Sequence, residues 1–353
     1  MGKRGGKQMI RVAVSGCGKI AQVRHLPEYR DRPDVQIIGL FDLNHERAET
    51  LAKEYGAKAY ASYEALISDP AVDAVSICAA NTVHADMSVA ALKAGKHVLC
   101  EKPMATTLHD CERMVRAARK SGKTLMIGHN QRLAPAHAKA RELIENGAIG
   151  RVITFSTAFR HGGPETWSVD PGANTWFFDK AKSAMGVLAD LGVHKTDLIQ
   201  FLTGQTVTEV TACMCTLDKK NADGTPISVD DNAICILRLS GGAVGTVTAS
   251  WTDYCGEDNS TVLNGTQGMM RIYADPAHSL VLKHRGGGTE YFDLDQIQTN
   301  EAQTKSGIID MFVDHLLHPD RPCISGESVL TAMRAVFAAV ESSEKGCTVR
   351  IQA

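Results

Sequence analysis

The first 130 residues alternate strand-like and helix-like segments, and this alternation limits the possible folds more than any other feature of the sequence. Short apolar runs are separated by longer segments with helical spacing, several of which end at a glycine. Strands that alternate with helices are joined by right-handed crossovers and form a parallel sheet. The predicted strands span residues 9–15, 35–41, 72–78, 97–100 and 124–128, and the predicted helices span 19–31, 44–55, 82–94 and 107–121.

The pattern changes near residue 150. Stretches of alternating polarity with Gly-rich turns between them indicate an antiparallel sheet. One helix, over about 184–202, interrupts these strands, and two more, over about 307–317 and 327–343, end the chain. The length of 353 residues fits two domains at about 150 residues per domain. The predicted strands span 152–159, 207–217, 233–239, 243–252, 261–264, 269–273 and 280–284.

Composition excludes several classes of protein. Lys and Arg total 38 and Asp and Glu total 40, so the formal net charge of −2 argues against a nucleic-acid-binding protein. No apolar run reaches about 18 residues, so we expect no membrane span. Residues 1–8 are basic but are not followed by an apolar segment with a cleavage site, and we interpret them as a tail. Ten cysteines at scattered spacings predict reduced thiols in a cytoplasmic protein.

A glycine-rich loop follows the first predicted strand and opens the first predicted helix. The sequence Gly16-Cys17-Gly18-Lys19-Ile20-Ala21 has the spacing G-x-G-x-x-A, which brings a pyrophosphate to a helix N-terminus. Asp42 ends the next strand, where a carboxylate can bind both adenosine ribose hydroxyls and repel a 2′-phosphate. These residues predict NAD, although Arg47 nearby leaves NADP open. The alternative is that Asp42 only caps the following helix.

Lys102 follows the fourth predicted strand and precedes Pro103. The carboxyl ends of strands in an open parallel sheet face the ligand crevice, so this lysine is a candidate for the nicotinamide end of a dinucleotide. A solvated ion pair between Glu101 and Lys102 explains the same residues equally well.

Three ionisable residues share a predicted helix. Asp190, His194 and Asp197 stand at i, i+4 and i+7, so they fall on one helix face. Histidine titrates near neutral pH and can accept the hydroxyl proton when a secondary alcohol is oxidised. A metal is not predicted, because no third convergent His or Cys motif accompanies them.

These motifs together resemble the glucose–fructose oxidoreductase/inositol dehydrogenase/rhizopine-catabolism family. The resemblance rests on the glycine loop, on Glu101-Lys102-Pro103 with Asn81 and His84 upstream, and on the segment from Asp190 to Asp197. It implies an N-terminal Rossmann domain and a C-terminal α/β domain with an open, mostly antiparallel sheet. We expect a tail at 1–8, a dinucleotide-binding domain at 9–130, and a substrate-binding and oligomerisation domain at 131–353 whose C-terminal helix could pack back on the first domain.

The resemblance also implies residue roles. His194 would be the base, Lys102 would bridge the substrate hydroxyl and the nicotinamide, and Asp190 would position substrate or His194. Expected cofactor contacts are Gly16, Cys17, Gly18, Lys19, Ile20, Asp42, Ala79, Asn81, His84, Glu101 and Lys102. Expected substrate contacts are Lys102, Asn130, Arg132, Arg160, His161, Trp176, Asp190 and His194.

The resulting hypothesis is an NAD-dependent dehydrogenase of a sugar, glycoside, sugar phosphate or cyclitol, with position 3 of a glucose unit as one candidate, acting as a homodimer or homotetramer. Two alternatives stay open: a glycosidase that uses tightly bound NAD for transient oxidation and elimination, and a non-catalytic NAD or sugar sensor. Many members of the family carry a glycine run before the histidine helix, whereas this chain has Ser183-Ala184-Met185-Gly186-Val187. The substrate of a relative therefore does not transfer directly.

Overall fold

The computed structural model describes residues 9–296 and 305–352, which divide into two compact units. The first unit contains a six-stranded sheet whose paired strands are all parallel. The two strands at its centre, β1 and β4, are buried along nearly their whole length. The predicted parallel sheet is confirmed. Its order is β3-β2-β1-β4-β5-β6, with β1 at Ile10–Ser15, β2 at Val35–Phe41, β3 at Lys58–Ala59, β4 at Ala74–Ile77, β5 at His97–Cys100 and β6 at Leu125–Ile127.

The helices of this unit lie between the strands along the chain. The predicted helix at 19–31 is helical over residues 19–30, but it widens into a π-turn at Ala21–His25 before α1 (Leu26–Arg30). The Leu26 N–H bonds the carbonyl of Ala21, and the next residue, Pro27, has no N–H to continue regular bonding. The others are α2 (His45–Tyr55), α3 (Tyr63–Ser68), α4 (His84–Lys93) and α5 (Leu108–Ser121); α3 and β3 were not predicted.

A late segment of the chain, 305–328, belongs to this first unit. Arg32 donates to Asp34 and to Asp310 and Asp314, at 2.8–3.1 Å. The N–H of Ile127 in β6 also bonds the carbonyl of Ile324 at 2.9 Å. The prediction that everything after residue 130 forms the second domain is therefore wrong for this segment, because ion pairs and a backbone bond distant in sequence tie it to the parallel sheet.

The second unit contains residues 106–108, 129–296 and 329–352 and is built on a nine-stranded sheet. Its pairings are antiparallel except for one, between β7 and β10, so the predicted mostly antiparallel sheet is confirmed. The order is β14-β13-β12-β11-β7-β10-β9-β8-β15, with β7 at Val152–Arg160, β8 at Val207–Cys215, β9 at Asn232–Leu239, β10 at Val244–Ser250, β11 at Thr261–Gly265, β12 at Gly268–Ile272, β13 at Leu280–His284, β14 at Thr289–Phe292 and β15 at Val349–Arg350.

The helix predicted over 184–202 begins later than expected. Ala184 has a φ of 64°, which a right-handed helix does not contain, and helical structure starts with a π-turn at Leu188–Gly192. The remaining helices are α6 (Pro135–Glu145), α7 (Lys180–Ser183), α8 (Val193–Thr203), α9 (Ile308–Leu317, in the first unit) and α10 (Gly326–Lys345).

The C-terminal helix α10 belongs to the second unit from residue 329 onward. The hydroxyl of Ser342 accepts the N–H of Ala212 in β8, so this part of the helix lies against the antiparallel sheet, whereas its first residues, 326–328, belong to the first unit. All ten cysteines are free thiols. In the two stretches that the structure describes, no helix has both the length and the apolar run needed to cross a membrane.

Candidate active site

The glycine loop lies between the ends of β1 and β4. A Cβ on Gly16 would stand 2.5 Å from the backbone of Cys78 and Ala79, and its φ of 88° favours glycine. A Cβ on Gly18 would meet nothing within 4 Å. Gly16 is therefore required by the fold, whereas Gly18 borders an open space at the loop.

Asp42, at the end of β2, is bonded to this loop. One carboxylate oxygen accepts the N–H of Cys17 at 2.6 Å and the other accepts the N–H of Asn44 at 2.7 Å. The helix α2 is capped by Asn44, whose side chain accepts the N–H of Arg47. The alternative that Asp42 is only a helix cap is thus wrong, since Asp42 fixes the loop itself.

The open space at Gly18 tests whether NAD fits these residues. Pyrophosphate needs close approach to backbone N–H groups at a helix start, which here begins at Lys19 and Ile20. A ribose needs an acceptor at the end of β2, where Asp42 lies. The residues present fit NAD, and Gly18, Lys19, Ile20 and Asp42 are those that would hold it.

His84 and Asn81 follow β4, near the loop. Both are buried, and Asn81 starts the short 3₁₀ turn before α4. The ring nitrogens of His84 lie 2.8 Å from the carbonyl of Pro103 and 3.0 Å from that of Ala79, and burial lowers its pKa. Because both nitrogens face backbone carbonyls, we reassign His84 from cofactor contact to holding the Lys102–Pro103 segment beside β4.

Glu101 is a buried anchor beneath Lys102. Its carboxylate lies 2.9 Å from His25 Nε2 and 3.3 Å from Arg24 Nη1, and it accepts the backbone N–H of Lys102. Burial alone would raise the pKa of Glu101, but the His25 hydrogen bond and the charges of Arg24 and Lys102 outweigh it and hold the pKa at about 2. Glu101 is 5% exposed, so the solvated surface ion pair is wrong. Its carboxylate is also occupied by protein groups and not placed as a cofactor contact.

In the second unit, a buried carboxylate holds the turn that carries Asp190. Asp230 accepts the N–H groups of Gly186 and Leu188 at 2.7 and 2.8 Å, and burial raises its pKa. A Cβ on Gly186 would lie 1.9 Å from the Asp230 carbonyl oxygen. The one glycine that this chain keeps before the histidine helix is therefore the one that the turn requires.

Asp190 lies in that π-turn and accepts the indole N–H of Trp251 at 3.1 Å. Trp251 is fully buried and packs against Phe177 and Phe178. A buried carboxylate is thus held in a mostly aromatic surrounding by a rigid donor.

His194 and Asp197 both face His129. The rings of His129 and His194 meet edge to face, with centroids 5.9 Å apart, and His129 Nδ1 is 3.6 Å from Asp197. Arg132 makes two hydrogen bonds to the same carboxylate, at 2.7 and 2.5 Å. Arg132 and His129 thus both lie against Asp197, and His129 in turn packs on the ring of His194. This arrangement reassigns Arg132 from substrate contact to support.

Other predicted substrate contacts lie on loops of this unit. Arg160 is paired with Asp258 at 2.5 Å, which argues against its use as an anion site. His161 accepts the N–H of Gly163 and contacts Trp167, while the half-exposed Trp176 stacks on Phe177 with ring centroids 4.0 Å apart. The side-chain oxygen of Asn130 is buried without a hydrogen-bond partner among the described residues, so it stays a candidate for a substrate hydroxyl.

Lys195, next to His194, is fully buried and donates to the carbonyl of Asn259 at 2.9 Å. Burial lowers the pKa of Lys195 to about 7, against the opposing charges of Asp258 and Glu257. This hydrogen bond connects α8 to the segment before β11. We therefore interpret Lys195 as a structural residue and not as a ligand contact.

Sequence reasoning placed His129 only in the polar segment that follows the fifth predicted strand, and it missed Asp230 and Trp251. His129 directly follows β6, so the strand-end argument applied to Lys102 also places it at the crevice, but its contacts with Asp197 and His194 do not follow from that position. Asp230 and Trp251 flank strands of the antiparallel sheet, where no sequence signal marks them. Among the residues described, no group of three or more His, Cys, Asp or Glu side chains is arranged to hold a metal ion.

The parallel sheet, the glycine loop and the acidic residue after β2 define an NAD-binding protein of the Rossmann type. A family model described as "Oxidoreductase family, NAD-binding Rossmann fold" matches residues 10–129, and one described as "GFO/IDH/MocA C-terminal domain" matches residues 137–271. The chain therefore belongs to the GFO/IDH/MocA oxidoreductase family, whose resemblance the motifs had indicated.

Individual relatives are similar over much of their length. A myo-inositol 2-dehydrogenase of Thermotoga maritima is 28% identical over 97% of this chain and 99% of its own. A D-glucoside 3-dehydrogenase of Escherichia coli is 33% identical over 55% of this chain and 54% of its own. A solved structure of levoglucosan dehydrogenase with NADH and levoglucosan has a TM-score of 0.83 at 26% identity, covering 98% of this chain and 100% of that one.

Proposed function

We propose that the protein transfers a hydride between NAD and a secondary alcohol of a sugar, glycoside, sugar phosphate or cyclitol. The observation that carries the proposal is the buried π-turn that holds Asp190 together with the start of α8, which holds His194. Both side chains are ionisable and nearly inaccessible, and they are fixed by Trp251 and His129 in an aromatic surrounding. Ionisable groups held in this way are more typical of a reaction site than of an ordinary core.

Each residue has a defined task in this proposal. His194 accepts the hydroxyl proton during oxidation and returns it during reduction. Lys102, whose backbone is anchored by Glu101, stabilises the developing alkoxide with its ammonium group. Asp190 orients the substrate or His194. Bound NAD supplies the hydride acceptor.

Within this class we favour neutral polyols over sugar phosphates. Two basic side chains of the second unit that were candidates for an anion, Arg132 and Arg160, are each paired with a carboxylate. The similarity to a D-glucoside 3-dehydrogenase, a myo-inositol 2-dehydrogenase and a levoglucosan dehydrogenase supports a neutral ring, and the first of these supports position 3 of a glucose unit.

The test is turnover of a substrate panel with NAD, followed by reduced-nicotinamide absorbance. The panel holds myo-inositol, glucose, methyl β-glucoside, levoglucosan and glucose 6-phosphate. We expect turnover of at least one neutral compound and a loss of about 10²–10⁴-fold in kcat/KM for His194→Asn and Lys102→Met. His284→Asn, at the end of β13, is the matched control and should match the wild type.

Two outcomes would overturn the proposal. Equal turnover by His194→Asn and the wild type would remove the assigned base. Release of free sugar from the glucoside without net cofactor reduction would favour the glycosidase alternative instead.

We also infer that the outer face of the nine-stranded sheet binds a second copy of this chain. Ile234 and Ile236 of β9 are 55% and 49% exposed, and their cross-strand neighbours on β8 and β10 are uncharged. This part of the face is thus an apolar and hydroxyl-bearing surface, which favours packing against an identical sheet over exposure to water. The neighbours are Thr211, Cys213, Thr246 and Thr248.

Molar mass in solution tests this interface. Ile236→Glu should shift a homodimer or homotetramer toward a smaller species, because each copy would bury a carboxylate. Leu217→Glu, at a 70% exposed position beyond β8, is the control and should leave the mass unchanged. A monomeric wild type, or a variant with unaltered mass, would rule out this face.

A further inference from the structure

A pocket lies in the first unit, at the opposite end of the strands from the glycine loop. His97 is the first residue of β5, and Thr124 directly precedes β6, so the pocket is at the amino ends of these strands. Its volume is about 340 Å³, within the range of small-molecule sites. The lining residues are His97, Gly122, Lys123, Thr124, His315, Leu316 and Pro319.

The ring of His97 faces two hydrogen-bond donors. The backbone N–H of Thr124 donates to Nδ1 at 3.2 Å, and the ammonium group of Lys123 lies 3.5 Å from Nε2. A neutral imidazole has a single lone pair for one donor, and its other nitrogen carries a proton. Because the Thr124 N–H is fixed in the backbone, the proton belongs on Nε2, where it points toward another donor.

The charges around the ring also favour the state in which His97 Nε2–H and the Lys123 ammonium group face each other as two donors. Burial, with the charges of Lys123 and His315, lowers the pKa of His97 to about 4, so the ring is neutral at pH 7. Among the described residues, Lys123 has no carboxylate within ion-pair distance. The charge of Asp73 opposes this lowering of the pKa, but the Asp73 carboxylate is itself hydrogen-bonded to the Arg11 side chain at 2.9 and 3.0 Å.

A second histidine, His315, lines the same pocket. His315 Nδ1 lies 2.7 Å from the carbonyl of Arg321, so Nδ1 is the ring nitrogen that carries a proton and donates to that carbonyl. Two nitrogen donors, His97 Nε2–H and Lys123 Nζ, therefore face each other in one small pocket, with no acceptor from the described residues between them.

We propose that this pocket binds a small oxyanion of the phosphate or carboxylate class. One oxygen of the anion accepts from His97 Nε2–H and Lys123 Nζ, which turns the opposed donors into two charge-assisted hydrogen bonds to a common acceptor. The site is separate from the proposed reaction, because it lies at the amino ends of the strands and not at their carboxyl ends.

Isothermal titration with inorganic phosphate tests the proposal, with acetate as the carboxylate arm and chloride at equal ionic strength as baseline. Saturating NAD in both cell and syringe blocks the glycine loop. We expect saturable binding of phosphate or acetate, at least tenfold weaker in Lys123→Gln and retained in Lys123→Arg. Lys120→Gln, an exposed lysine on α5, should bind like the wild type.

The source of the signal can be located independently. Ring nitrogen resonances of His97 and His315 should shift on addition of phosphate or acetate, while that of His278 should not. Absence of saturable binding with both anions, or equal affinity in Lys123→Gln and the wild type, would overturn the proposal.

Discussion

Two glycines in one loop, Gly16 and Gly18, differ in what surrounds them. Gly16→Ala should lower the free energy of unfolding by at least about 2 kcal/mol, because the added carbon meets backbone at 2.5 Å and the φ is positive. Gly18→Ala should change the free energy of unfolding by less than about 1 kcal/mol. It should weaken NAD binding at least tenfold, since its Cβ enters the space for the pyrophosphate. Urea unfolding and NAD titration of both variants check this. Similar profiles for the two would contradict it.

The Trp251 indole N–H donates to the carboxylate of Asp190 at 3.1 Å. Trp251→Phe leaves a buried carboxylate oxygen without that donor and should lower the free energy of unfolding by about 1–3 kcal/mol. The fall in kcat should be a larger factor than the change in KM. Trp167→Phe is the matched control for stability, because the Trp167 N–H has no hydrogen-bond partner among the described residues. Equal losses in the two variants would show that ring packing, and not the hydrogen bond, holds Asp190.

Glu101 should contribute a recognisable part of the acid sensitivity. Its pKa is about 2 in the folded chain against an ordinary 4.5, so its stabilisation is fully present above pH 4.5 and is lost as pH falls toward 2. The shift corresponds to on the order of 3 kcal/mol. Urea unfolding between pH 7 and 3 should show a flatter dependence for Glu101→Gln. Parallel curves for wild type and variant would contradict the assignment.

At the scale of elements, the turn before α8 shows where sequence patterns fail. Apolar spacing predicted a helix from residue 184, but Ala184 adopts a positive φ and Asp230 fixes the chain up to Leu188. That constraint comes from a residue more than 40 positions away, so no local pattern could reveal it. The irregular start of the helix at Lys19 was likewise hidden, although Pro27 marked the region.

The same turn yields a paired prediction. Gly186→Ala should lower the unfolding free energy by more than about 3 kcal/mol, because its Cβ would overlap the Asp230 carbonyl at 1.9 Å. Ala184→Gly should be neutral or stabilising by up to about 1 kcal/mol, since relief of the left-handed strain slightly exceeds the entropy of glycine. Thermal and urea unfolding measure both. Destabilisation by Ala184→Gly would contradict the strain at this position.

At the scale of the whole molecule, sequence patterns predicted both sheets and their main strands. Periodicity is a local signal, and it predicted β1, β2 and the strands β7 to β13 of the second sheet, whereas β14 and β15 were not predicted. The candidate site was predicted in outline from strand ends and from one helix, whereas its supports, His129 and Trp251, depend on contacts between distant segments. The grouping of 305–328 with the first unit was missed for the same reason, since it rests on Arg32 and on one backbone bond to β6.

This grouping predicts how fragments behave. A fragment of residues 1–130 lacks the carboxylates of Asp310 and Asp314 that bind Arg32, and it should unfold at lower temperature than the same fragment joined through a flexible linker to residues 305–328. Circular dichroism on heating compares the two. Equal melting temperatures would show that the late segment does not stabilise the parallel sheet.

The late segment also affects the order of events during synthesis. A ribosome delivers residues 9–128 early, but the residues that complete this half are released only after almost the entire second sheet has been translated. The first unit therefore stays incomplete at β6, without its partner segment 305–328, while about 180 further residues emerge.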